Sequence, residues 1–400
     1  MKQGTDLIWL SLDRVENKYS STSFAMAKEL SKRGRVFFVN NPMTWSEAFR
    51  IHRNDNREKI VLEEKHGIYG RVKGLPENFV SVTPPVMLPI NWMERGSLYN
   101  WGSRFNNTLF NRTIGRIIRD NNIREYVFVN LFNPFYGSTL QPTIKPALKV
   151  YYSVDDIRHS PYVKKHGPWL EEEMVKQYDI TLTTSRHLQH LLQEHSSNVY
   201  YLPNAADTAL FKTSLTDSFE KPEDIRHIDT PIIMYTGHVD WRVNIELLTA
   251  IADQHQDKTL VFVGPVSLKT DDLDLIRRFP NVIFTGAKKL EQLPAYLHYA
   301  RCAIIPFKCN TLTKSIYPLK INEYLSAGLP VVATNFSEDV SQFSEVVFLE
   351  DEVQSYVSAI GSAIATDSDS QRKARVSAAE NNNWSARAVE FWRLLSQPKK

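Results

Sequence analysis

Y-P-L-K-I-N-E-Y-L-S-A-G-L-P-V-V-A-T, Tyr317 to Thr334, reads as one helix running into one buried strand. Pro318 suits the first helical position, where the missing N–H has no helical partner anyway and φ is already set. Gly328 suits the left-handed residue that closes the helix. Pro330 blocks continuation, and Val331-Val332-Ala333 opens a strand. A helix N-terminus offers free N–H groups and partial positive charge, which attract phosphate. Lys320 falls in the first turn and Glu323 three residues on, hence on the same face. That pair suits a nucleotide diphosphate: a cation for the phosphates and a carboxylate for sugar hydroxyls. The same residues also fit a plain helix–strand unit with a solvated Lys and Glu.

Working outward, short apolar β-rich runs alternate with longer helical segments. The first half offers strands at Leu7–Leu10, Val36–Val39, Tyr126–Asn130, Val150–Val154, Ile180–Thr184 and Val199–Leu202. The second half offers Ile232–Thr236, Thr259–Val263, Val282–Thr285, Ala303–Phe307, Val331–Thr334 and Val346–Leu349. Near-continuous apolar strands alternating with helices indicate parallel sheets covered on both faces. Two such series predict two Rossmann-like, doubly wound α/β domains facing each other across a cleft. The expected division is an N-terminal domain over 1–212, a C-terminal domain over 213–383, and a last helix over 384–400 returning toward the first domain. Ser214–Thr230, polar and weakly periodic, reads as a linker, and Lys65–Pro85 as irregular or a hairpin.

Four hundred residues exceed one ordinary core, which agrees with two domains. No run approaches the length of a membrane span, and the N-terminus lacks the apolar core of a signal peptide. Two cysteines, Cys302 and Cys309, make no disulfide framework. They read as structural thiols in a reducing cytoplasm. No Cys/His cluster has metal spacing, so no metal and no cofactor are expected. Residues 1–212 carry 28 Lys and Arg against 21 Asp and Glu, a net of +7, while the remainder carries −4, which together return the chain's +3. A basic first half suits an anionic membrane surface or a phosphorylated acceptor, although such a charge is also ordinary for a domain of this size.

Three candidate strands of the second half run into glycine: Thr236-Gly237, Val263-Gly264 and Thr285-Gly286. Glycine lets backbone approach a phosphate closely, and ligands of open α/β sheets bind beyond the carboxyl ends of the strands. Arg242, shortly after Gly237, is a second candidate phosphate cation. Neither G-x-G-x-x-G nor G-x-x-x-x-G-K-[ST] occurs, which argues against a dehydrogenase and a P-loop enzyme.

Taken in order, T-G-H-V-D-W-R (236–242), F-V-G-P, F-T-G and the 317–334 segment resemble the donor-binding half of GT-B-fold glycosyltransferases. They are most similar to family four (group 1), in its teichuronic-acid and exopolysaccharide branch. In the first half, Leu182-Thr183-Thr184-Ser185, Leu202-Pro203-Asn204-Ala205-Ala206-Asp207 and Tyr151-Tyr152-Ser153-Val154-Asp155-Asp156 also resemble motifs of that family. The likeness covers roughly residues 126–395; residues 1–125 share only the strand–helix rhythm. The resemblance implies a metal-independent glycosyltransferase that moves a sugar from a UDP- or GDP-sugar, as co-substrate, to a polysaccharide or lipid-linked saccharide. It implies that Arg242 and Lys320 neutralise the donor diphosphate and that Glu323 holds the ribose hydroxyls. Gly237, Gly264, Tyr317 and Pro318 would complete the nucleotide site, and backbone at Ala287-Lys288 would meet the base. Asp155 and Asp156 would face the transferred sugar or the acceptor. A nucleotide-sugar 2-epimerase of the same fold, or a sugar-nucleotide-binding protein without transfer activity, are the competing readings.

Two departures from the family pattern stand out. Many relatives carry two glutamates separated by seven residues; Glu323 matches the second, and Ser315 occupies the place of the first, with Ile316 beside it near the expected sugar. The Gly-Gly loop that many relatives carry near residue 15 is missing, Ser11–Ser23 being polar and free of glycine. Asp155 and Asp156, adjacent in extended chain, point opposite ways, so one faces the ligand at most. A carboxylate there suits a general base or a hydroxyl-positioning role, and Asp156 also suits a helix N-cap. Residues 86–120 mix Met87, Trp92, Met93, Tyr99, Trp101, Phe105 and Phe110 with Arg95, Arg104, Arg112, Arg116 and Arg119. That mixture fits docking on the inner leaflet of the plasma membrane, making the protein cytoplasmic and peripheral. It equally fits a core-facing helix with a solvated basic side. No basic run, zinc pattern or RNP-type motif points to nucleic acid.

Overall fold

A computed structural model describes residues 3–15, 21–48, 62–159 and 163–397. The chain forms two compact units, Met1–Pro203 with Arg387–Lys400, and Asn204–Ala386.

The first unit holds β1 (Asp6–Ser11), β2 (Val36–Val39), β3 (Leu62–His66), β4 (Tyr69–Val72), β5 (Phe79–Val82), β6 (Tyr126–Leu131), β7 (Leu148–Ser153), β8 (Ile180–Thr183) and β9 (Val199–Tyr201). They form one sheet in the order β3-β4-β5-β2-β1-β6-β7-β8-β9. β3 and β4 pair antiparallel, β4 pairs antiparallel with β5, and the other pairs are parallel. Its central strands are buried throughout, with Trp9, Phe37, Phe128 and Tyr151 inaccessible. Such strands need helices on both faces. Those used below are α1 (Thr22–Ser31), α2 (Ser97–Asp120), α3 (Gly167–Gln177) and α4 (Arg186–Gln193). Ser21 and Ser185 accept from the backbone N–H groups of Phe24 and Leu188 at the starts of α1 and α4.

The second unit holds six parallel strands: β10 (Ile232–Thr236), β11 (Thr259–Val263), β12 (Val282–Gly286), β13 (Ala300–Ile305), β14 (Val331–Ala333) and β15 (Phe348–Leu349). Their order, β12-β11-β10-β13-β14-β15, is the doubly wound one, with its topological switch between β10 and β13. The helices are α5 (Thr208–Thr216), α6 (Ile245–Gln254), α7 (Thr270–Arg277), α8 (Leu293–His298), α9 (Leu319–Ser326), α10 (Glu338–Ser341), α11 (Val353–Ala365) and α12 (Asp369–Glu380). α11 packs on β14 and α6, while α9 packs on α12 and α5.

The expected strands are all present, within a few residues at their ends. The Lys65–Pro85 stretch resolves into the β3–β4 hairpin and β5, which extend the first sheet. The expected boundary after residue 212 is displaced to Pro203. Phe211 on α5 is buried in the second core, and so are Ile225 and Ile228. The polar 214–230 stretch is therefore a packed flank of the second unit, anchored by those two isoleucines. The last helix, α13 (Trp384–Leu395), rejoins the first unit from Arg387, where Phe391 packs on Trp9 at 6.1 Å between ring centroids. Residues 398–400, and 16–20 of the polar Ser11–Ser23 stretch, lie outside the described residues. Cys302 is buried as expected of a structural thiol, whereas Cys309 is exposed. Among the described residues, no helix is long and apolar enough to cross a membrane.

Candidate functional site

The polar residues of the 317–334 segment meet the end of β10. α9 begins at Leu319, with Pro318 as its extended N-cap residue, one position earlier than expected. Gly328 closes the helix at φ +68°, as the sequence predicts. Tyr324, on the buried face, ties the helix to β10: its hydroxyl oxygen accepts the Thr236 N–H at 2.8 Å and the Thr236 hydroxyl at 3.2 Å. Lys320 is thereby laid along Gly237. A Cβ at Gly237 would stand 2.5 Å from Lys320 Cε and 2.9 Å from Nζ, and Gly237 itself has φ +113°. Gly264, after β11, backs the same turn; a Cβ there would meet the Gly237 carbonyl oxygen at 2.1 Å. Gly237 is thus required by its backbone conformation, and Gly264 by the close approach of backbone.

Arg242 arrives on the loop after β10. Asp240 holds it as a fork: the Arg242 backbone N–H and Nε donate to Oδ1 at 3.1 and 2.8 Å, and Nη2 donates to Oδ2 at 2.6 Å. Burial pushes the Asp240 carboxyl upward, but the Arg242 hydrogen bonds and charge outweigh it, leaving the group more acidic than usual. Phe307, just beyond β13, brings the cations together: Lys320 Nζ lies 5.7 Å and Arg242 Cζ 5.6 Å from its ring centroid. Lys320 Nζ also lies 5.4 Å from the Tyr235 ring. Burial first, and then the Arg242 charge, lower the Lys320 ammonium to about 8, against the opposing pull of Glu323 and Asp240. Two cations converging at a switch point, one partly stripped of its proton affinity, form a place where an anion relieves repulsion.

Glu323 follows one turn on, partly buried. Burial pushes its carboxyl up to about 7, with Lys320 pulling the other way. No hydrogen bond to that carboxylate occurs among the described residues, so its acceptor capacity remains open. Lys288 stands apart from this group. Its ammonium pairs with Asp224 at 2.7 Å, Asp224 also accepts the Tyr296 hydroxyl at 2.8 Å, and the three line a groove of about 600 Å³ with Phe219 and Pro222. Ser315 is 1% exposed and donates to the Leu312 carbonyl at 2.8 Å, so its hydroxyl closes a local turn. Ile316 is partly buried, and its carbonyl accepts the Ser337 hydroxyl at 3.1 Å. Tyr317 is buried, its hydroxyl accepting from Asn322 at 3.0 Å.

In the first unit, Asp155 and Asp156 follow β7 and separate as alternation requires. Asp155 is exposed and Asp156 is 2% exposed. Among the described residues Asp156 caps no helix, the next being α3 at Gly167. Instead it forms the fork seen at Asp240: Arg158 donates from its backbone N–H at 3.1 Å, from Nε at 2.8 Å and from Nη2 at 2.8 Å. Burial raises the Asp156 carboxyl, and Arg158 outweighs it, so both oxygens stay ionised and occupied. That arrangement suits an arginine-positioning residue rather than a proton acceptor. Behind it, buried Glu171 accepts the Tyr151 hydroxyl at 2.7 Å and the Ser153 hydroxyl at 2.9 Å. Burial pushes the Glu171 carboxyl up to about 7. At the switch point of this sheet, Phe132 follows β6 at φ +56°, and Asn133 Nδ2 donates to the Ser11 carbonyl at 3.3 Å and Asn41 Oδ1 at 3.1 Å. Bulky residues seldom adopt such a φ outside functional or tightly constrained turns.

Sequence reasoning missed Asp240, Tyr324, Phe307, Arg158 and Glu171. An Asp two residues before an Arg, in D-W-R and D-I-R, was the readable signal for the two forks. Nothing local marks Tyr324, whose partner lies 88 residues away.

Residues 230–366, about a third of the chain, match the family described as glycosyl transferases group 1. A Bacillus subtilis protein named as a teichuronic acid biosynthesis glycosyltransferase, TuaH, is 31% identical over 105 residues, 26% of either chain. This chain thus spans about a quarter of the length of the curated relative it matches. Among solved structures, a UDP-forming α,α-trehalose-phosphate synthase of Burkholderia vietnamiensis superposes with a TM-score of 0.68 at 12% identity, over 99% of this chain and 98% of that one. An Escherichia coli trehalose-6-phosphate structure bound with UDP-2-fluoro glucose gives 0.68 at 10%, over 99% and 100%. The Anabaena protein Alr3699/HepE in complex with UDP and glucose gives 0.59 at 14%, over 99% and 100%. The chain has the GT-B fold, and the group 1 glycosyltransferase resemblance read from its motifs is borne out in the second unit.

Proposed function

We propose that this protein is a glycosyltransferase that moves a sugar from a nucleotide-sugar donor to a saccharide acceptor, without a metal ion. The observation that carries this reading is the convergence of Lys320 and Arg242 beside Phe307 and Gly237, one turn from the open carboxylate of Glu323. As the glycosidic bond breaks, negative charge grows on the departing nucleoside diphosphate. Lys320, Arg242 and the first N–H groups of α9 are positioned to stabilise it, and stabilisation aimed at developing charge lowers the barrier directly. Asp240 keeps the guanidinium oriented, so little reorganisation is needed at the moment of reaction. Glu323 accepts from the ribose hydroxyls.

A UDP-sugar is favoured as donor, since solved relatives of the fold hold UDP or a UDP-sugar. The match to a protein named for teichuronic acid synthesis favours a cell-envelope or exopolysaccharide acceptor, lipid-linked at the inner leaflet, with the enzyme cytoplasmic and peripheral. In the first unit, exposed Asp155 is the carboxylate assigned to orient the acceptor hydroxyl, and Asp156 acts through Arg158.

Calorimetry with UDP and GDP tests the donor site. Lys320→Ala and Glu323→Ala should each weaken binding by about 1.5–3 kcal/mol, as expected for a hydrogen bond to a charged group. Unchanged affinity in both variants would refute the assignment. Incubation with UDP- and GDP-sugars then separates the activities. Sugar transfer to an added saccharide supports this reading, acceptor-independent epimerisation replaces it with the epimerase, and binding without turnover replaces it with a non-catalytic binder.

A further inference from the structure

We infer that the segment from Trp92 to Arg119 is a docking surface for an anionic lipid bilayer, a conclusion that rests on the proposed membrane-borne acceptor only for its purpose. Among the described residues nine large apolar side chains are exposed, and four of them fall between Trp92 and Phe105: Trp92 at 71%, Leu98 at 66%, Trp101 at 62% and Phe105 at 44%. Scattered exposed apolar residues are ordinary; a cluster of aromatic ones is not. Leu98, Trp101 and Phe105 follow helical i, i+3, i+7 spacing and share one stripe of α2, and the Trp101 and Phe105 rings stack at 6.0 Å. The opposite face, with Tyr99, Asn106, Phe110 and Ile114, is buried. A Cβ at Gly102 would stand 2.7 Å from Ile90 Cγ2, so the helix is seated hard on its own unit with the aromatic stripe outward.

The exposure is built in. The loop leading into α2 is fastened at several points to the start of α3: Lys165 Nζ donates to the Trp92 carbonyl at 2.6 Å, and His166 Nε2 bonds the Met93 carbonyl at 3.0 Å. The Tyr99 and His166 rings stack at 4.1 Å, and Arg95 lies 4.2 Å over the Trp169 ring. These anchors fix the backbone from which Trp92 and Leu98 project.

Charge selects the occupant. Arg95, Arg104, Arg112, Arg116 and Arg119 are all exposed on this segment. Its one carboxylate, Glu94, is already engaged by Lys165 at 2.7 Å, and Asp120, just past its end, pairs with Arg116 at 3.2 Å. A tip of Trp, Leu and Phe with a collar of arginines matches the layering of a bilayer interface, apolar groups in the acyl boundary and cations at anionic headgroups. A second copy of the chain would set one arginine collar against another, which is repulsive.

The test uses the full chain and vesicles of phosphatidylcholine with and without phosphatidylglycerol. The wild-type protein should co-sediment with phosphatidylglycerol vesicles and dissociate in high salt. Leu98→Ser/Trp101→Ser/Phe105→Ser and, separately, Arg104→Gln/Arg112→Gln should each lower partitioning by about tenfold or more. Brominated lipid should quench wild-type tryptophan emission, and Trp101→Phe, which keeps the stripe apolar, should remove part of that quenching without loss of binding. UDP titration of every variant separates the two readings. Lost vesicle binding with UDP affinity retained supports docking. Wild-type protein that binds UDP and ignores vesicles overturns docking alone, and wild-type protein that binds vesicles and ignores UDP overturns the donor site alone. Vesicle binding unaltered in both multiple variants, or a wild-type dimer that the serine variant converts to monomer, also overturns the proposal.

Discussion

Replacing Gly237 by alanine separates a ligand-bearing lysine from a merely buried one. The new methyl would sit 2.5 Å from Lys320 Cε and 2.9 Å from Nζ, at a residue whose φ is +113°. Two costs follow, and they fall on different observables. Holding an L-residue in that backbone region costs about 1–3 kcal/mol, which appears in thermal stability. The steric cost is small, because the far end of a lysine swings aside, but the swing carries the ammonium away from where phosphate would lie. Losing one hydrogen bond to a charged group costs about 1.5–3 kcal/mol, roughly ten- to hundred-fold in Kd. Calorimetry with UDP should show that loss in Gly237→Ala and a similar loss in Lys320→Ala. The double variant should bind no worse than Lys320→Ala, because no ammonium remains to be displaced. Wild-type affinity in Gly237→Ala, or additive losses in the double variant, would refute the reasoning. Gly264→Ala serves as the contrast. Its Cβ would meet the Gly237 carbonyl oxygen at 2.1 Å, and backbone cannot swing aside, so folding rather than binding should suffer.

Nucleotide affinity should peak between the two titrations at the site. It should fall as pH rises through about 8, where Lys320 loses its proton, and also as pH falls through about 7, where Glu323 gains one; calorimetry in buffers of differing ionisation heat should show proton uptake on binding above about pH 8, and a flat profile would contradict this account. Asp240→Asn, which removes the charge that forks Arg242, should weaken UDP binding by about 1–2 kcal/mol while leaving secondary structure intact by circular dichroism. Arg375 is buried, donates to the Gly328 carbonyl at 2.9 Å and pairs with Asp367; Arg375→Met should lower thermal stability by about 3 kcal/mol or more, yet spare UDP affinity below the melting transition.

How much of this was legible depended on sequence distance and on apolar content. The strands of both parallel sheets announce themselves because fully buried strands must be apolar almost throughout, as in Ile232–Thr236 and Thr259–Val263. The Lys65–Pro85 stretch stayed open between irregular chain and a hairpin, since L-E-E-K-H at the sheet edge and Y-G-R-V beside it carry charge. The 214–230 stretch hid its membership in the second core because Ile225 and Ile228 are sparse anchors in polar surroundings. At the site, the spacing of Lys320 and Glu323 and the strand-end Gly237 left a phosphate site and a plain helix–strand unit both open, and the family resemblance chose between them. Ser315 was placed near the sugar by family pattern, and its hydroxyl proves occupied by its own turn. Asp156 was readable as a carboxylate but not as the holder of Arg158, because pairing is a property of rotamers, not of spacing. Tyr324 and Phe307, which set the geometry of the lysine, act across the fold and leave no local trace.

The return of the chain to its first unit at Arg387 has a bearing on biogenesis. Phe391, fully buried against Trp9 of β1, is made about 380 residues after it. Vectorial synthesis therefore delivers an N-terminal sheet with one aromatic socket unfilled, and the second unit, contiguous over Asn204–Ala386, can finish folding while the first still waits. Until α13 is made, Trp9 lacks the ring that packs against it, which leaves a gap that a chaperone or a neighbouring chain can reach. Emergence of α13, by delivering Phe391, is the event that closes that gap.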